Sequence, residues 1–203
     1  MKKPLQVALS WFLCIATISV AAEKAPQYQH YVNRRFSYCI NFHKTWQLSE
    51  SMTQNGVTLT PKSAEVFAHL PRISVGAHAN QPSQDGRHPQ TLDENIQAVV
   101  ESLKEYGSAE NIQVLDQHTS VLQGLPAKTI TLRFSDRRSN SEWFLKDANL
   151  IDAGNVVYFI ELRCHPKDAV ILEPIFDELV QSLHIQCKSH SSGRTGATDS
   201  GPP

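Results

Sequence analysis

Polar and apolar residues alternate in short runs along most of the chain. In Phe36-Ser37-Tyr38-Cys39-Ile40-Asn41-Phe42, the residues Phe36, Tyr38, Ile40 and Phe42 occupy every second position, the period of a strand with one buried face. A short polar break leads to Trp46, and the pattern predicts strands near residues 47 to 52 and over Gly56–Pro61. The run Arg72–His78 (RISVGAH) places Ile73, Val75 and Ala77 on one face and His78 on the other. Asn80–Gln90 (NQPSQDGRHPQ) reads as a loop, with two prolines and a glycine among polar residues. The period then changes to that of a helix. Thr91-Leu92-Asp93-Glu94 forms a capping box, and Leu92, Ile96, Val99, Val100, Leu103 and Tyr106 recur at helical spacing up to Gly107.

Four more strand-like runs follow: IQVLDQHTSVL from Ile112, AKTITLRFS from Ala127, EWFLKDANLID from Glu142 and VVYFIELRC from Val156. They are separated by the turns Gln123-Gly124-Leu125-Pro126, Asp136–Ser141 (DRRSNS) and Ala153-Gly154-Asn155. Links this short favour antiparallel neighbours, because a parallel pair needs a long crossover. Residues 168 to 183 close the pattern as a helix, with Ile171, Leu172, Ile175, Phe176, Leu179 and Leu183 on one stripe and Pro174 marking an early turn or a kink. Each helix has an apolar stripe that needs a sheet face beneath it. The order strands, helix, four strands, helix therefore predicts an α+β domain with an antiparallel sheet between helices.

The ends of the chain are of a different character. Met1-Lys2-Lys3 is basic, an apolar run extends from Leu5 to Val20, and the small residues Ala21 and Ala22 follow, which together read as a secretory signal peptide over residues 1–22. The run is short for a spanning helix, and Cys14 follows the bulky Trp11, Phe12 and Leu13 instead of the small residues that precede a lipidated cysteine. The expectation is an exported protein, in the bacterial periplasm or secreted, with no stable membrane anchor. Residues 23–35 (EKAPQYQHYVNRR) read as a polar, mostly irregular lead-in to a single domain spanning 23–187. Residues 188–203 contain no Leu, Ile, Val or aromatic residue and read as a disordered tail. Losing residues 1–22 removes two lysines and no acid, so 17 basic residues face 20 acidic ones. That weak acidity gives no reason to expect nucleic acid as a partner.

Against this outline the chain resembles the PsbP-like superfamily, which includes the DcrB-like exported bacterial proteins. Phe36–Ile40 followed by Trp46 is similar to that family's opening strand and its proline-x-x-Trp turn, with His43 where the proline usually stands. Gln123-Gly124-Leu125-Pro126-Ala127 is similar to its mid-chain Gly-x-Pro-Ala turn, and Phe176 with Ser182-Leu183 to its closing helix, which usually ends in Ser-Phe. The likeness spans roughly residues 28 to 186. It implies an α/β/α sandwich with a central antiparallel sheet, and a binding or assembly role without known catalysis. Members bind different partners, so the fold selects none.

Candidate chemistry is sparse. The chain lacks GxSxG, GxxxxGK[ST], HExxH, GxGxxG and EF-hand patterns, and neither an enzyme activity nor a cofactor is expected. The expected function is that of an exported accessory factor that binds an unidentified protein or assists envelope assembly. The alternative is a metal- or small-ligand-binding protein using His69, His78 and His88, with Asp85 as an oxygen ligand. The ordinary reading of these residues is exposed polar positions, since imidazole ligands need convergent geometry. Arg133, Arg137 and Arg138 form a candidate partner-docking tip, against the plainer reading of a solvated turn with Asp136 offsetting charge. Trp46 and Trp143 read as packing residues. Cys39, Cys164 and Cys187 suit one disulfide and one free thiol. A helix of about 16 residues between Cys164 and Cys187 would carry the chain some 24 Å, so the favoured pair is Cys39 with Cys187, leaving Cys164 free. A helix shortened at Pro174 would reopen the 164 to 187 pairing. An intact mass spectrum of the exported protein should give a chain starting near Glu23 with one disulfide; a retained leader would overturn the signal-peptide reading.

Overall fold

The computed structural model describes residues 27–63, 65–83, 86, 89–105 and 108–187. The leader over 1–22 and the tail over 188–203 thus lie outside the described residues, as do Asp85 and His88. Ten strands and two helices follow in the order β1 (Tyr28–Asn33), β2 (Tyr38–His43), β3 (Trp46–Glu50), β4 (Gly56–Pro61), β5 (Arg72–Ala79), α1 (Leu92–Glu105), β6 (Ala109–Leu122), β7 (Leu125–Asp136), β8 (Ser141–Ile151), β9 (Val156–Cys164), α2 (Ala169–Ser182) and β10 (His184–Ile185). Seven strands form one sheet in the order β3-β4-β5-β9-β8-β7-β6, and every neighbouring pair is antiparallel.

Alternation along the strands divides the faces of this sheet. Ile73, Val75 and Ala77 of β5, Tyr158, Ile160 and Leu162 of β9, and Ala148 and Leu150 of β8 pack with Leu172, Phe176 and Leu179 of α2. The opposite parity, Ile130, Leu132 and Phe134 of β7 with Leu145 of β8, packs with Ile96 and Leu103 of α1. The two helices therefore lie on opposite faces, as the α+β sandwich predicts. At the start of α1 the capping box forms: the Thr91 amide donates to Glu94 Oε2 at 2.7 Å and the Glu94 amide to Thr91 Oγ1 at 3.3 Å.

Two features depart from the sequence expectation. Residues 28–33, expected as irregular lead-in, are strand β1, paired along its whole length with β2. The strand is exposed over its first half, so its backbone pairing leaves no apolar alternation to read. Together β1, β2 and β10 make a second, three-stranded sheet that shares the α2 face. Tyr38 anchors it there, donating to the Val75 carbonyl at 3.3 Å and meeting the Tyr158 ring edge-on at 6.1 Å. Pro174 falls in an early turn of α2, as expected, and a short 3-10 segment at Pro166–Asp168 precedes the helix.

The strand β10 has only two residues, and a covalent tie holds it. Cys187 is bonded to Cys39 of β2, with Cα atoms 5.9 Å apart and a sequence separation of 148, while Cys164 is free and buried. The helix does carry the chain away from Cys164, as its length requires. Cys39 is 4% exposed although alternation assigns it to the open face, because the bridge and β10 cover it. A cross-link closing so long a loop removes about 5 kcal/mol of denatured-state entropy in the chain-entropy account. Replacing both Cys39 and Cys187 by alanine should lower unfolding stability by several kcal/mol, and dithiothreitol should shift the urea midpoint of the parent protein but not of the variant; equal midpoints would refute a stabilising role.

Candidate functional site

A groove of about 850 Å³ lies between α2, β2 and the edge of the large sheet. Its floor is apolar, built from Phe42, Trp46, Leu59, Ile73, Ile175 and Leu179. Its rim is polar, carrying Tyr28, His43, Glu178, Gln181 and Ser182. The rim is ordered by its own bonds. Tyr28 packs edge-on to His43 at 5.7 Å and donates to Glu178 Oε2 at 3.4 Å. The Asn41 amide donates to Ser182 Oγ at 3.1 Å, and that hydroxyl lies 3.0 Å from the Asn41 carbonyl, so β2 is tied to the end of α2. His43 holds the turn into Trp46, its Nδ1 lying 2.8 Å from Thr45 Oγ1 and accepting from the Thr45 amide at 3.3 Å. That contact does locally what a turn proline would otherwise do by fixing φ.

A second, polar hollow of about 360 Å³ lies on the other face, where α1 meets the sheet. Helix α1 covers β6, β7 and β8, and its edge runs along β9 and β5. Asp147 of β8 stands directly across from Glu161 of β9, with Asn149 two residues along. The Asn149 amide donates to Asp147 Oδ2 at 2.7 Å, and no described atom bonds Asp147 Oδ1. Burial, and then the facing Glu161, push the Asp147 carboxyl up to about 8, against the opposing pull of Asn149 and Arg163. The loop end is pinned nearby: Asn80 Nδ2 donates to the Gln90 carbonyl at 2.7 Å and to Asn155 Oδ1 at 3.0 Å, while Asn95 of α1 donates to Asn80 Oδ1 at 3.3 Å.

The structure separates the proposed histidine ligands. His69 stacks on Trp143 at 5.5 Å and lies 5.5 Å from the His165 ring, ahead of β5. His78, at the far end of β5 and about 20 Å along the strand from Arg72, meets the Phe159 ring at 6.1 Å instead. His69 and His78 therefore cannot share one ion, and among the described residues no group of three His, Cys, Asp or Glu side chains is placed to hold a metal. His88 and Asp85 lie outside the described residues. The arginines are also dispersed. Arg137 Nε pairs with Glu110 Oε1 at 2.8 Å, the Arg138 amide donates to Asp136 Oδ1 at 2.7 Å to close the turn, and Arg133 projects exposed from β7, opposite Phe144. Trp46 is buried in the larger core, and Trp143 packs against the smaller one.

Sequence reasoning missed Asp147, Glu161 and the pair Arg72–Arg163. Polar residues at alternate positions of a strand look like a solvent face, and the packing of α1 on β8 buries Asp147 while Glu161 and Arg163 stay half-buried and Arg72 exposed. The available signal was that Asp147 and Asn149 share the parity of Trp143 and Leu145 on β8.

No protein-family model matches the sequence, and no curated protein matches it. Solved structures do. The chain is similar to cyanobacterial PsbP (CyanoP) from Synechocystis sp. PCC 6803, with a TM-score of 0.58 and 11% identity over 82% of this chain and 97% of that one. It is also similar to LpqN of Mycobacterium tuberculosis, described as involved in cell envelope biogenesis, with a TM-score of 0.55 and 12% identity over 79% and 92% of the two chains. These likenesses show that the chain has a PsbP-like fold, as the ordered motifs around Trp46, Gly124 and Ser182 implied.

The buried carboxyl makes stability depend on pH. Asp147 binds its proton more tightly folded than unfolded, so its contribution is favourable below the ordinary aspartate value near 4 and is lost as pH rises toward about 8. Urea midpoints should fall across that window, and Asp147→Asn should flatten the profile and raise the midpoint at its alkaline end. A variant profile as steep as the parent's would refute the assignment.

Proposed function

We propose that this chain is an exported, non-enzymatic accessory domain that binds another protein, in the bacterial periplasm or beyond it. The observation that carries the reading is the groove between α2 and β2. An apolar floor under a hydrogen-bonding rim, about 850 Å³ in size, suits a segment of polypeptide with apolar side chains. The PsbP-like fold supports an accessory role, since one structural neighbour is described as involved in cell envelope biogenesis. The basic, apolar and small-residue sequence of residues 1–22 supports export. Among the described residues, no helix is long and apolar enough to cross a membrane.

The partner surface proposed here is the groove and not the Asp136–Ser141 turn. Arg137 is already paired with Glu110, and Asp136 is engaged by the turn's own amides. A photo-crosslinking residue at Gln181, on the groove rim, should trap a defined partner in intact cells, whereas the same residue at the exposed Glu101 of α1 should not. Tyr28→Ala, at a residue 51% exposed, should reduce that adduct several-fold without lowering the level of the protein. Equal trapping from both positions, or none from Gln181, would refute the groove as the docking surface.

A further inference from the structure

The α1 face also holds a cluster of hydrogen-bond donors with too few acceptors. Arg72, the exposed first residue of β5, and Arg163, near the end of β9, are directly opposed, and their side chains share one face. Like charges placed opposite one another on adjacent strands are destabilising. One carboxylate answers them: Glu161 Oε1 lies 3.5 Å from Arg163 Nη2. Arg72 forms no ion pair with a described residue. Two further N–H groups, Trp143 Nε1 and Arg163 Nε, are buried without an acceptor among the described residues. Arg72, Arg163 and Trp143 all line a single cavity of about 240 Å³, together with Leu70, Phe134 and Asp136. Two buried donors without acceptors among the described residues, beside an arginine that forms no ion pair with them, are costly for a fold to keep without purpose.

We infer that this cavity is a binding site for a carboxylate. An oxyanion supplies both missing features, a negative charge between the opposed guanidiniums and acceptor oxygens for the indole and guanidinium N–H groups. The carboxylate of Asp136 also borders the cavity, with Oδ1 accepting from the Arg138 and Ser139 amides at 2.7 and 3.3 Å. That neighbour favours a planar monoanion over a doubly charged phosphate. The volume lies below the roughly 300–1,000 Å³ of pockets for drug-sized ligands, so the ligand is a small organic acid or the carboxylate end of a polypeptide. His69, stacked at 28° on the Trp143 ring, fixes the indole that would report binding. The site lies on the face opposite the α2 groove and does not depend on the function proposed for that groove.

The test is a titration of the full-length, nitrogen-15-labelled chain with sodium acetate, and separately with a tripeptide bearing a free C-terminus and with its amide. The probe is the indole N–H resonance of Trp143, assigned with Trp143→Phe. That resonance should move downfield and saturate while that of Trp46 stays in place. Arg72→Gln, at an exposed position, should weaken binding about tenfold. Saturation by acetate identifies a free acid as sufficient, whereas saturation by the free tripeptide alone identifies a chain end; either upholds the site. The proposal is overturned if the resonance does not move or drifts without saturating. It is equally overturned if sodium chloride at the same ionic strength or the amide reproduces the shift, or if Arg72→Gln binds as tightly as the parent.

Discussion

The architecture depends on the two-sided burial of the central strands β8 and β9. Tyr158, Ile160 and Leu162 of β9 and Ala148 and Leu150 of β8 look toward α2, and Leu145 of β8 looks toward α1, while Glu161 and Arg163 leave the α1 side of β9 half-buried. Burying both faces of an antiparallel sheet requires a layer on each side, and a chain with only two helices has little to spare. The shortage is met on the α2 side by the small β1-β2-β10 sheet, which lays Tyr38, Ile40 and Phe42 beside the helix. On the other side α1 covers β6, β7 and β8 alone, and the uncovered strip keeps its polar residues.

The two faces consequently have different chemistry. Where α2 and the small sheet meet they leave a furrow, and that furrow inherits the apolar character of the core on which it opens. At the edge of α1, buried Asp147 of β8 faces Glu161 of β9, and beyond the helix Arg163 and Arg72 follow at the next position on the same face of β9 and β5. Charges in such a strip are partly desolvated, and each acts strongly on its neighbours because the dielectric is low. The raised Asp147 and the opposed arginines are two consequences of this single arrangement. Burial, and then Arg163, also hold the Arg72 guanidinium below its ordinary value.

The edges of the large sheet show how the fold stays free of uncontrolled pairing. β6 is long, mostly exposed and unpaired on one side, yet its register shifts between Glu110 and Gln113 and again between Val114 and Asp116. Bulges of this kind bend an edge away from a flat template. At the other edge β3 is short, and Gly56 lets β4 approach β5 closely: a Cβ there would lie 2.2 Å from the Val75 carbonyl oxygen.

Much of this was legible in the chain. The capping box at Thr91 and Glu94, the alternation of Ile73, Val75 and Ala77, and the helical stripe from Leu172 to Leu183 depend on neighbours within a few residues, so local sequence by itself determined both helices, the strands between Tyr38 and Cys164, and the sandwich class. The Cys39–Cys187 bridge was legible for a similar reason, since the length of the closing helix bears on which cysteines can meet. Strand β1 was not, because an exposed strand held by backbone pairing needs no apolar pattern. Nor were the groove at Trp46 and Ile175, the separation of His69 from His78, or the convergence of Arg72, Arg163 and Trp143. Those were decided only by the tertiary structure, because which strand lies beside which, and where a helix stops covering a sheet, are set by packing between residues distant in sequence.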